Sequence, residues 1–279
     1  MILSTHGIVG SQIQSYAFLL DLYPSAAAAY SLRKLRSAYT GSAIQVRRSS
    51  DNTTQDIGFT GANVLDTSAL TSFCGSGNGF VTTWYDQSGN GNNATQSTAA
   101  SQPQIVSSGS VILKNSKPSV NFDGTNDFFS LSSSISTSTN YSFFTAAYNE
   151  SNLTGDTFMS GLTGSAQFIV DLSGATGTMF IIKTTIAVII SGTITKDRFN
   201  LNTFFTHNAA NSLYTNGSLA NSNTSTPSFS NPITTIGRNN QSLGEYYLNG
   251  ISEMILYSSN QASNRTGIEA NINSYYAIY

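Results

Sequence analysis

The sequence has few charged side chains, and this bounds the partners that it can attract. Only 9% of its 279 residues are charged, and the formal net charge is −2. A chain so close to neutral has no overall field that would draw in nucleic acid or an anionic membrane surface. Five basic residues lie between Arg33 and Arg48, but no aromatic residues or glycine-rich basic motif accompany them. A helix face and a strand pairing with Asp51 and Asp56 explain this cluster better, so we predict no nucleic-acid partner.

Long apolar runs are also missing. The run at residues 184–190 is too short to cross a membrane and predicts a buried strand. The N-terminal segment resembles a secretion leader only faintly, because no basic residue precedes its apolar part and Asp21 interrupts that part. We therefore expect a chain with no membrane partner and no cleaved leader.

Cysteine and histidine are scarce. Cys74 is the single cysteine, which excludes a disulfide within the chain and is compatible with folding in a reducing cytoplasm. His6 and His207 are far apart in sequence, which argues against zinc.

Two turns carry oxygen ligands of the kind that calcium prefers: Asp123 with Asn126 and Asp127, and Asp86 with Asn90 and Asn92. Neither matches a complete calcium loop, and ordinary Asx turns explain both better. We predict no metal, no cofactor and no catalytic residue.

Serine, threonine, asparagine and glycine dominate what is present, which suits short strands and many turns. From Phe80 onward the chain alternates such strands with turn residues, a pattern typical of a β-sandwich or jelly roll. Helical spacing appears only at residues 25–39, 67–74 and 263–276, with Asp66 or Thr67 as the cap of the second helix. The sequence predicts an all-β jelly-roll sandwich with a few short helices.

The stretch "WYDQSGNGNNATQ", residues 84–96, predicts a tight turn after a strand. Asp86 and Ser88 can accept hydrogen bonds from backbone N–H groups two residues on, while Gly89 and Gly91 allow positive φ. A structural turn is the better interpretation of this stretch, and no reaction follows from it alone.

The stretches "LRSAYTGSAIQVRRSSD" and "FCGSGNGFVTTWYDQSGNGNNATQ" closely resemble the N-terminal part of the catalytic domain of the α-L-arabinofuranosidase B family of glycoside hydrolases. This resemblance covers roughly residues 21–96. In the second half, "VNFDGTNDFFSL", "LYTNGS" and "YYLNGISEMILYSS" are similar to the concanavalin A-like lectin and glucanase group of laminin-G type. Together they imply one concanavalin A-like sandwich over residues 20–279, with residues 1–19 as an N-terminal attachment arm.

The resemblance also implies where the chemistry would lie, and this sequence departs from the family there. The family's turn at YDQSG is a scaffold element, and its proton-donating Asp would fall at Asn239, where an amide stands. No Glu occurs between Glu150 and Glu245, so Asp171 is the best remaining candidate for the family's nucleophile. The family's disulfide partner of Cys74 would fall at Gly79. These departures predict that hydrolase activity is absent.

The resulting prediction is a non-enzymatic protein of the virion surface, because sandwiches of this kind also resemble bacteriophage tail-fibre and capsid-decorating proteins. It would be a homo-oligomer assembled in the host cytoplasm, joined to other virion subunits through residues 1–19, and would bind host glycans or stabilise the shell. An arabinofuranosidase-type glycoside hydrolase is the alternative. A secreted adhesion module would need an export leader.

The predicted ligand site lies over the concave sheet, where the family holds its sugar. It comprises Arg238, Asn239 and Asn240, with Tyr246 as a stacking surface and Asp171 as a hydrogen-bond acceptor. Sugars need planar amide or carboxylate partners for their hydroxyls and an aromatic face for their C–H side, and this set contains both.

Overall fold

The computed structural model describes residues 17–136, 140–149, 154–161, 169–173, 178–183, 187–193, 197–208, 210–224, 232–240 and 245–279. Most of the predicted attachment arm, residues 1–16, lies outside these ranges. Strands and turns account for most of the described chain, and three α-helices occur among the described residues, at Leu19–Leu22 (α1), Thr67–Cys74 (α2) and Arg265–Tyr276 (α3).

The strands of the first half are short. They are β1 (Ala28–Ser31), β2 (Ile44–Arg48), β3 (Thr54–Ile57), β4 (Gly79–Trp84), β5 (Ala94–Thr95), β6 (Gln104–Ser107), β7 (Ser110–Val111), β8 (Leu113–Lys114), β9 (Lys117–Pro118), β10 (Val120–Asp123) and β11 (Phe129–Ile135).

The strands of the second half are longer. They are β12 (Tyr141–Asn149), β13 (Thr154–Gly161), β14 (Ile169–Ser173), β15 (Thr178–Lys183), β16 (Ala187–Thr193), β17 (Arg198–His207), β18 (Ala210–Thr215), β19 (Ser218–Asn223), β20 (Ile233–Ile236) and β21 (Leu248–Tyr257).

Most of these strands form two antiparallel layers, and β8 and β9 pair separately with each other. The first layer, which we call the open sheet, has the order β3-β2-β4-β5-β11-β20-β13-β14-β15-β16. The second, the covered sheet, has β1 and β10 along one edge of β21, followed by β12, β17, β18 and β19. Strand β6 pairs with both β4 and β10, so the layers are continuous at one corner.

A core of apolar side chains fills the space between the layers. Trp84 and Phe129 of the open sheet belong to the same buried cluster as Phe143, Phe204 and Met254 of the covered sheet. This is the two-layer packing that strands with one apolar face require.

A second core lies on the other face of the covered sheet. There Phe144, Leu201 and Ile255 pack against Ile268 and Ile272 of α3. Helix α3 thus covers the outer face of the covered sheet at β12, β17 and β21, so these strands have buried side chains on both faces.

The all-β architecture with antiparallel sheets and few helices is confirmed. Helix α2 matches its prediction, and the Asp66 carboxylate accepts the Ala69 N–H at 2.9 Å as the predicted cap. Helix α3 starts two residues after the predicted position 263. None of the helices within the described ranges has the length and apolar character needed to traverse a bilayer.

The helix predicted at residues 25–39 is wrong. Ala28–Ser31 instead forms β1, a fully buried strand that pairs with β21. Ser25 has a φ of 68°, which is incompatible with a helical first turn after Pro24. The alanines favour a helix locally, but burial between β21 and α3 outweighs that propensity.

The basic cluster also differs from a solvated helix face. Arg33 is 3% exposed and forms an ion pair with Glu253, whereas Arg48 pairs with Asp51 near the surface as predicted.

Candidate functional site

The candidate site begins where β20 ends. Gly237 has a φ of 84°, and a Cβ placed on it would lie 2.4 Å from the Phe122 ring. Only glycine fits this position, both sterically and conformationally. The chain therefore turns sharply here and presents Arg238, Asn239 and Asn240 at the end of the open sheet.

Arg238 is held flat against an aromatic ring. Its guanidinium carbon lies 3.8 Å from the centroid of Phe128, and one terminal nitrogen donates to Asn240 Oδ1 at 2.7 Å. Its backbone also forms an isolated antiparallel bridge with Tyr246, which is half-buried. The structure thus places Arg238, Asn240 and Tyr246 next to one another.

Asn239 meets a carboxylate that the sequence analysis overlooked. Its backbone N–H donates to the Glu245 carbonyl at 2.9 Å, and its side-chain amide donates to Glu245 Oε2. Asn239 is buried, while Glu245 is partly exposed. A carboxylate therefore lies beside the position where the family resemblance implied an acid.

Asn240 fastens this turn to the open sheet. Its side-chain amide donates to the Gly161 carbonyl and to the Thr234 hydroxyl, each at 3.1 Å, and its backbone N–H donates to Ser160 Oγ at 3.1 Å. These bonds fix the loop on β13 and β20, so Arg238 and Asn239 are positioned by the sheet itself.

Asp171 is placed near this loop by strand register. It lies on β14 opposite Thr157 of β13, and β13 in turn pairs with β20. Ser160, which binds the Asn240 backbone, is three residues further along β13 than Thr157. The Asp171 backbone is thus two strands from β20, or roughly 10 Å.

In the oxygen-rich turn at Asp123, the carboxylate binds backbone N–H groups of the same turn. Asp123 Oδ1 accepts the N–H groups of Thr125, Asn126 and Asp127 at 2.8 to 3.2 Å. Burial and the neighbouring Asp123 carboxylate raise the pKa of Asp127 to about 7. Among the described residues no three His, Cys, Asp or Glu side chains converge on a common point.

The loop at residues 86–92 binds the segment of residues 29–35. Asp86 Oδ1 accepts the Ala29 N–H at 2.9 Å, and the Gln87 amide donates to the carbonyls of Ser31 and Arg33 while accepting the Leu35 N–H. Both polar atoms of the Gln87 side chain thus bond to backbone groups of that segment. The loop is the scaffold that the resemblance implied.

The comparisons with known proteins agree on one family for the first half of the chain. Residues 21–142 match the family model described as "Alpha-L-arabinofuranosidase B, catalytic". The chain is 42% identical over 96 residues to a probable α-L-arabinofuranosidase B of Aspergillus flavus, and 45% identical over 74 residues to an α-L-arabinofuranosidase B of Emericella nidulans. The first of these alignments spans 32% of this chain and 19% of the Aspergillus flavus protein.

Solved structures extend the likeness to most of the fold. An arabinofuranosidase complexed with arabinofuranosyl-α-1,2-xylobiose superposes with a TM-score of 0.71 at 17% identity, covering 88% of this chain and 62% of that one. A glutamate-to-glutamine variant of a GH54 arabinofuranosidase, soaked with 4-nitrophenyl arabinofuranoside, gives a TM-score of 0.69 at 19% identity. Since both identities are low, these superpositions establish a shared fold.

These findings correct the functional prediction. The matched proteins are glycoside hydrolases, so the prediction of a non-enzymatic virion surface protein is wrong. The bacteriophage resemblance, the virion location, the attachment to virion subunits through residues 1–19 and the predicted homo-oligomer fail with it. An amide at Asn239 does not outweigh the match of residues 21–142, and the glycoside hydrolase alternative is the better supported interpretation.

Proposed function

We propose that this chain is a glycoside hydrolase of the α-L-arabinofuranosidase type. The observation that carries this proposal is the match of residues 21–142 to the arabinofuranosidase B catalytic model, joined to a superposition over 88% of the chain. The packed antiparallel layers support the further assignment to the concanavalin A-like jelly-roll class. The proposed substrate is a terminal α-L-arabinofuranosyl group.

Hydrolysis of a glycoside by this route needs two carboxyl groups, one on each side of the scissile bond. We assign Glu245 and Asp171 to this pair. Glu245 is supported by its position in the loop beside Arg238 and by the Asn239 amide that holds it. Asp171 is supported by strand register, which brings its backbone within two strands of that loop.

The remaining groups suit the recognition of a neutral sugar. Arg238 supplies N–H donors and Tyr246 supplies an aromatic face, which match the hydroxyl groups and the C–H side of a sugar ring. Asn240 holds the turn in place, because its own amide donates to Gly161 and Thr234. Asn239 acts as a positioning residue, because its amide donates to Glu245 and cannot itself give up a proton as a carboxylic acid does.

The test is hydrolysis of 4-nitrophenyl α-L-arabinofuranoside by the wild type and by Glu245→Gln, Asp171→Asn and Asp51→Asn. Each of the first two substitutions should lower kcat at least about 100-fold, since each removes a group that transfers a proton or attacks the sugar. Asp51→Asn is the control, because Asp51 lies on the β2–β3 turn and pairs with Arg48.

Two results would contradict the proposal. The wild type could fail to release nitrophenol at any pH, which would exclude the activity. Alternatively, full activity in both Glu245→Gln and Asp171→Asn would exclude this site. Asn239→Asp provides a second measurement: a carboxyl group beside Glu245 should change the pH profile of kcat, because two neighbouring carboxyls share a proton.

A further inference from the structure

A second pocket lies at the end of the open sheet opposite to the candidate site. It is formed by residues 39–42, which lead into β2, and by residues 58–60 with Asn63, which follow β3, and Lys34 lies beside them. Its volume is about 420 Å³, which is within the range of pockets that hold small ligands. We call it the β2 pocket.

The directions of the strands separate the β2 pocket from the candidate site. Each neighbouring pair in the series β2, β4, β5, β11 and β20 is antiparallel, so β2 and β20 run in the same direction. The pocket precedes the start of β2, whereas Arg238 and Asn239 follow the end of β20. Four strand spacings, or roughly 19 Å, separate these two strands. A ligand in the β2 pocket therefore leaves the candidate site open.

Hydrogen bonds hold both walls of the β2 pocket. In the first wall, the Tyr39 hydroxyl donates to the Ser42 carbonyl at 2.8 Å. In the second wall, the Asn63 N–H donates to the Thr60 carbonyl at 2.9 Å, and the Lys34 N–H donates to the Asn63 carbonyl at 2.9 Å. The walls are thus fixed by the fold, and a ligand would not need to order them.

The lining of the β2 pocket combines aromatic rings with unbonded polar groups. Tyr39 and Phe59 are half-buried, and their ring centroids lie 6.4 Å apart at an interplanar angle of 76°. Within the ranges that the structure describes, the side chains of Thr40, Ser42 and Asn63 make no hydrogen bond. Rings that remain accessible beside free hydroxyl and amide groups suit the C–H side and the hydroxyls of a sugar.

Lys34 gives the β2 pocket a positive charge that no carboxylate neutralises. Its ammonium lies 5.6 Å from the centroid of the Phe18 ring, and none of the ion pairs between described residues includes it. The lining of the pocket contains neither Asp nor Glu. An anionic group in the pocket would therefore form a charge-assisted hydrogen bond, which is stronger than a neutral one.

A glycine keeps the floor of the β2 pocket open. Gly58 lines the pocket, its φ is not in the left-handed region, and a Cβ placed on it would have no atom within 4 Å. Neither backbone conformation nor packing requires glycine here, although glycine loses more conformational freedom on folding than any other residue. The missing side chain leaves space that a ligand can fill.

We propose that the β2 pocket binds a uronate, which is a sugar unit that carries a carboxylate. The carboxylate binds Lys34, and the C–H side of the sugar lies against Tyr39 and Phe59. The net charge of the chain is −2, so an overall attraction for anions does not account for such binding. This proposal is independent of the proposed function, because it uses none of the residues of the candidate site.

The experiment measures binding with two uronates and their neutral counterparts. Ligand-detected NMR titrations of the full chain give the dissociation constants of methyl α-D-galacturonoside and methyl β-D-glucuronoside. The methyl ester of each compound is the matched ligand without charge. Lys34→Gln removes the ammonium and keeps most of the length of the side chain, whereas Gly58→Leu fills the pocket.

Two control variants make the same changes elsewhere. Lys117→Gln removes a lysine that is also half-buried and whose ammonium lies 4.4 Å from the centroid of the Tyr275 ring. Gly61→Leu places the same side chain on a glycine that also has no atom within 4 Å of its Cβ position but does not line the pocket.

We expect at least one of the two uronates to bind the wild type, and its methyl ester to bind at least about tenfold more weakly. Lys34→Gln should weaken binding of the uronate at least about tenfold and leave binding of the ester unchanged. Gly58→Leu should abolish binding of both, while Lys117→Gln and Gly61→Leu should bind like the wild type. Lys34→Arg keeps the charge, so it should bind the uronate more tightly than Lys34→Gln does.

Three results would overturn the β2 pocket as a uronate site: no binding of either uronate, equal binding of a uronate and its ester, or equal losses in a variant and its control. Hydrolysis of 4-nitrophenyl α-L-arabinofuranoside by Lys34→Gln should equal that of the wild type, because the two sites lie at opposite ends of the sheet. Uronate binding that depends on Lys34 in a protein without this hydrolysis would support the pocket and contradict only the proposed function.

Discussion

The two sheets of the sandwich differ in what lies against their outer faces. The covered sheet has the inter-sheet core on one side and α3 on the other, and β17 and β21 are buried at nearly every position. The open sheet has the same core on one side and a polar surface on the other, and β2 and β11 carry exposed or half-buried residues between their buried ones. The outer face of the covered sheet is largely closed by α3, whereas the outer face of the open sheet is in part accessible to solvent.

The largest loss of stability is expected when the buried ion pair between Arg33 and Glu253 of β21 is broken. The Arg33 guanidinium makes two hydrogen bonds to the Glu253 carboxylate, at 2.8 and 2.9 Å, and a third to Asn271 of α3. Arg33→Met leaves the fully buried Glu253 charge without its partner, which typically costs about 3–5 kcal/mol. Urea unfolding monitored by tryptophan fluorescence measures this loss.

The control for that substitution is Arg48→Met, which removes the partly exposed partner of Asp51. Because water screens that pair, its loss should be much smaller than the loss at Arg33. Equal losses in the two variants would show that the outer face of the covered sheet is not sealed by α3.

The contrast between the sheets also explains which strands could be predicted from sequence. Strand β4, which the sequence predicts before the turn at residues 84–96, has buried residues interspersed with half-buried ones, so its pattern can be recognised locally. Strand β1 was mistaken for a helix because all four of its residues are buried, so no alternation marks it. Its pairing with β21, more than two hundred residues away, is invisible to any local pattern.

The sequence likewise predicted part of the candidate site but not all of it. Arg238, Asn239, Asn240 and Tyr246 came from the family resemblance, and the structure brings them together. Glu245 could not be predicted, because no local pattern indicates its contact with Asn239, six residues earlier. The available sign in the sequence was a Glu directly before the Tyr246–Tyr247 pair.

A second expected effect concerns pH and the Asp127 turn at the start of β11. The folded pKa of Asp127 is raised to about 7 by burial and by Asp123, whereas an unfolded Asp titrates near pH 4. The fold therefore favours the protonated form. Its stabilising contribution is complete below about pH 4 and is lost as the pH rises through about 7, by at most about 1.4 kcal/mol per pH unit.

Asp127→Asn should remove this dependence, because an amide stays neutral. Unfolding free energies at about pH 5 and about pH 8 should differ clearly in the wild type and little in the variant. Asp51→Asn is the control: the hydrogen bond from Arg48 holds the pKa of Asp51 below its usual range, so Asp51 does not titrate in this interval. A wild type with no fall in stability towards high pH would contradict the assignment.

A third prediction concerns Cys74, whose disulfide partner in the related family would fall at Gly79 on β4. A Cβ built on Gly79 would lie 2.6 Å from Cys74 Sγ, so the two positions are close enough for a bridge. Oxidised Gly79→Cys should exceed its own reduced form in stability by about 2 kcal/mol, the value expected for so short a loop. Comparing oxidised with reduced protein cancels the crowding of the new side chain against Val46 and Val106. If the thiols stay free under an oxidant, the helix α2 and β4 are not held as the structure has them.

The smallest effect tests the contrast with one chemical change on each sheet. Thr145 on β12 is fully buried, and its hydroxyl has no recorded partner within the described residues, so Thr145→Val should stabilise the protein by about 1 kcal/mol. Thr95 on β5 of the open sheet is exposed to water, so Thr95→Val should change stability by less than about 0.5 kcal/mol. Thermal unfolding of the wild type and of the two variants measures both changes in stability. A clear destabilisation by Thr145→Val would mean that its hydroxyl bonds to an internal water, and the covered sheet would then be less dry than its packing indicates. A clear effect of Thr95→Val would mean instead that the outer face of the open sheet also contributes to folding, and the contrast between the two sheets would then be smaller than their burial indicates.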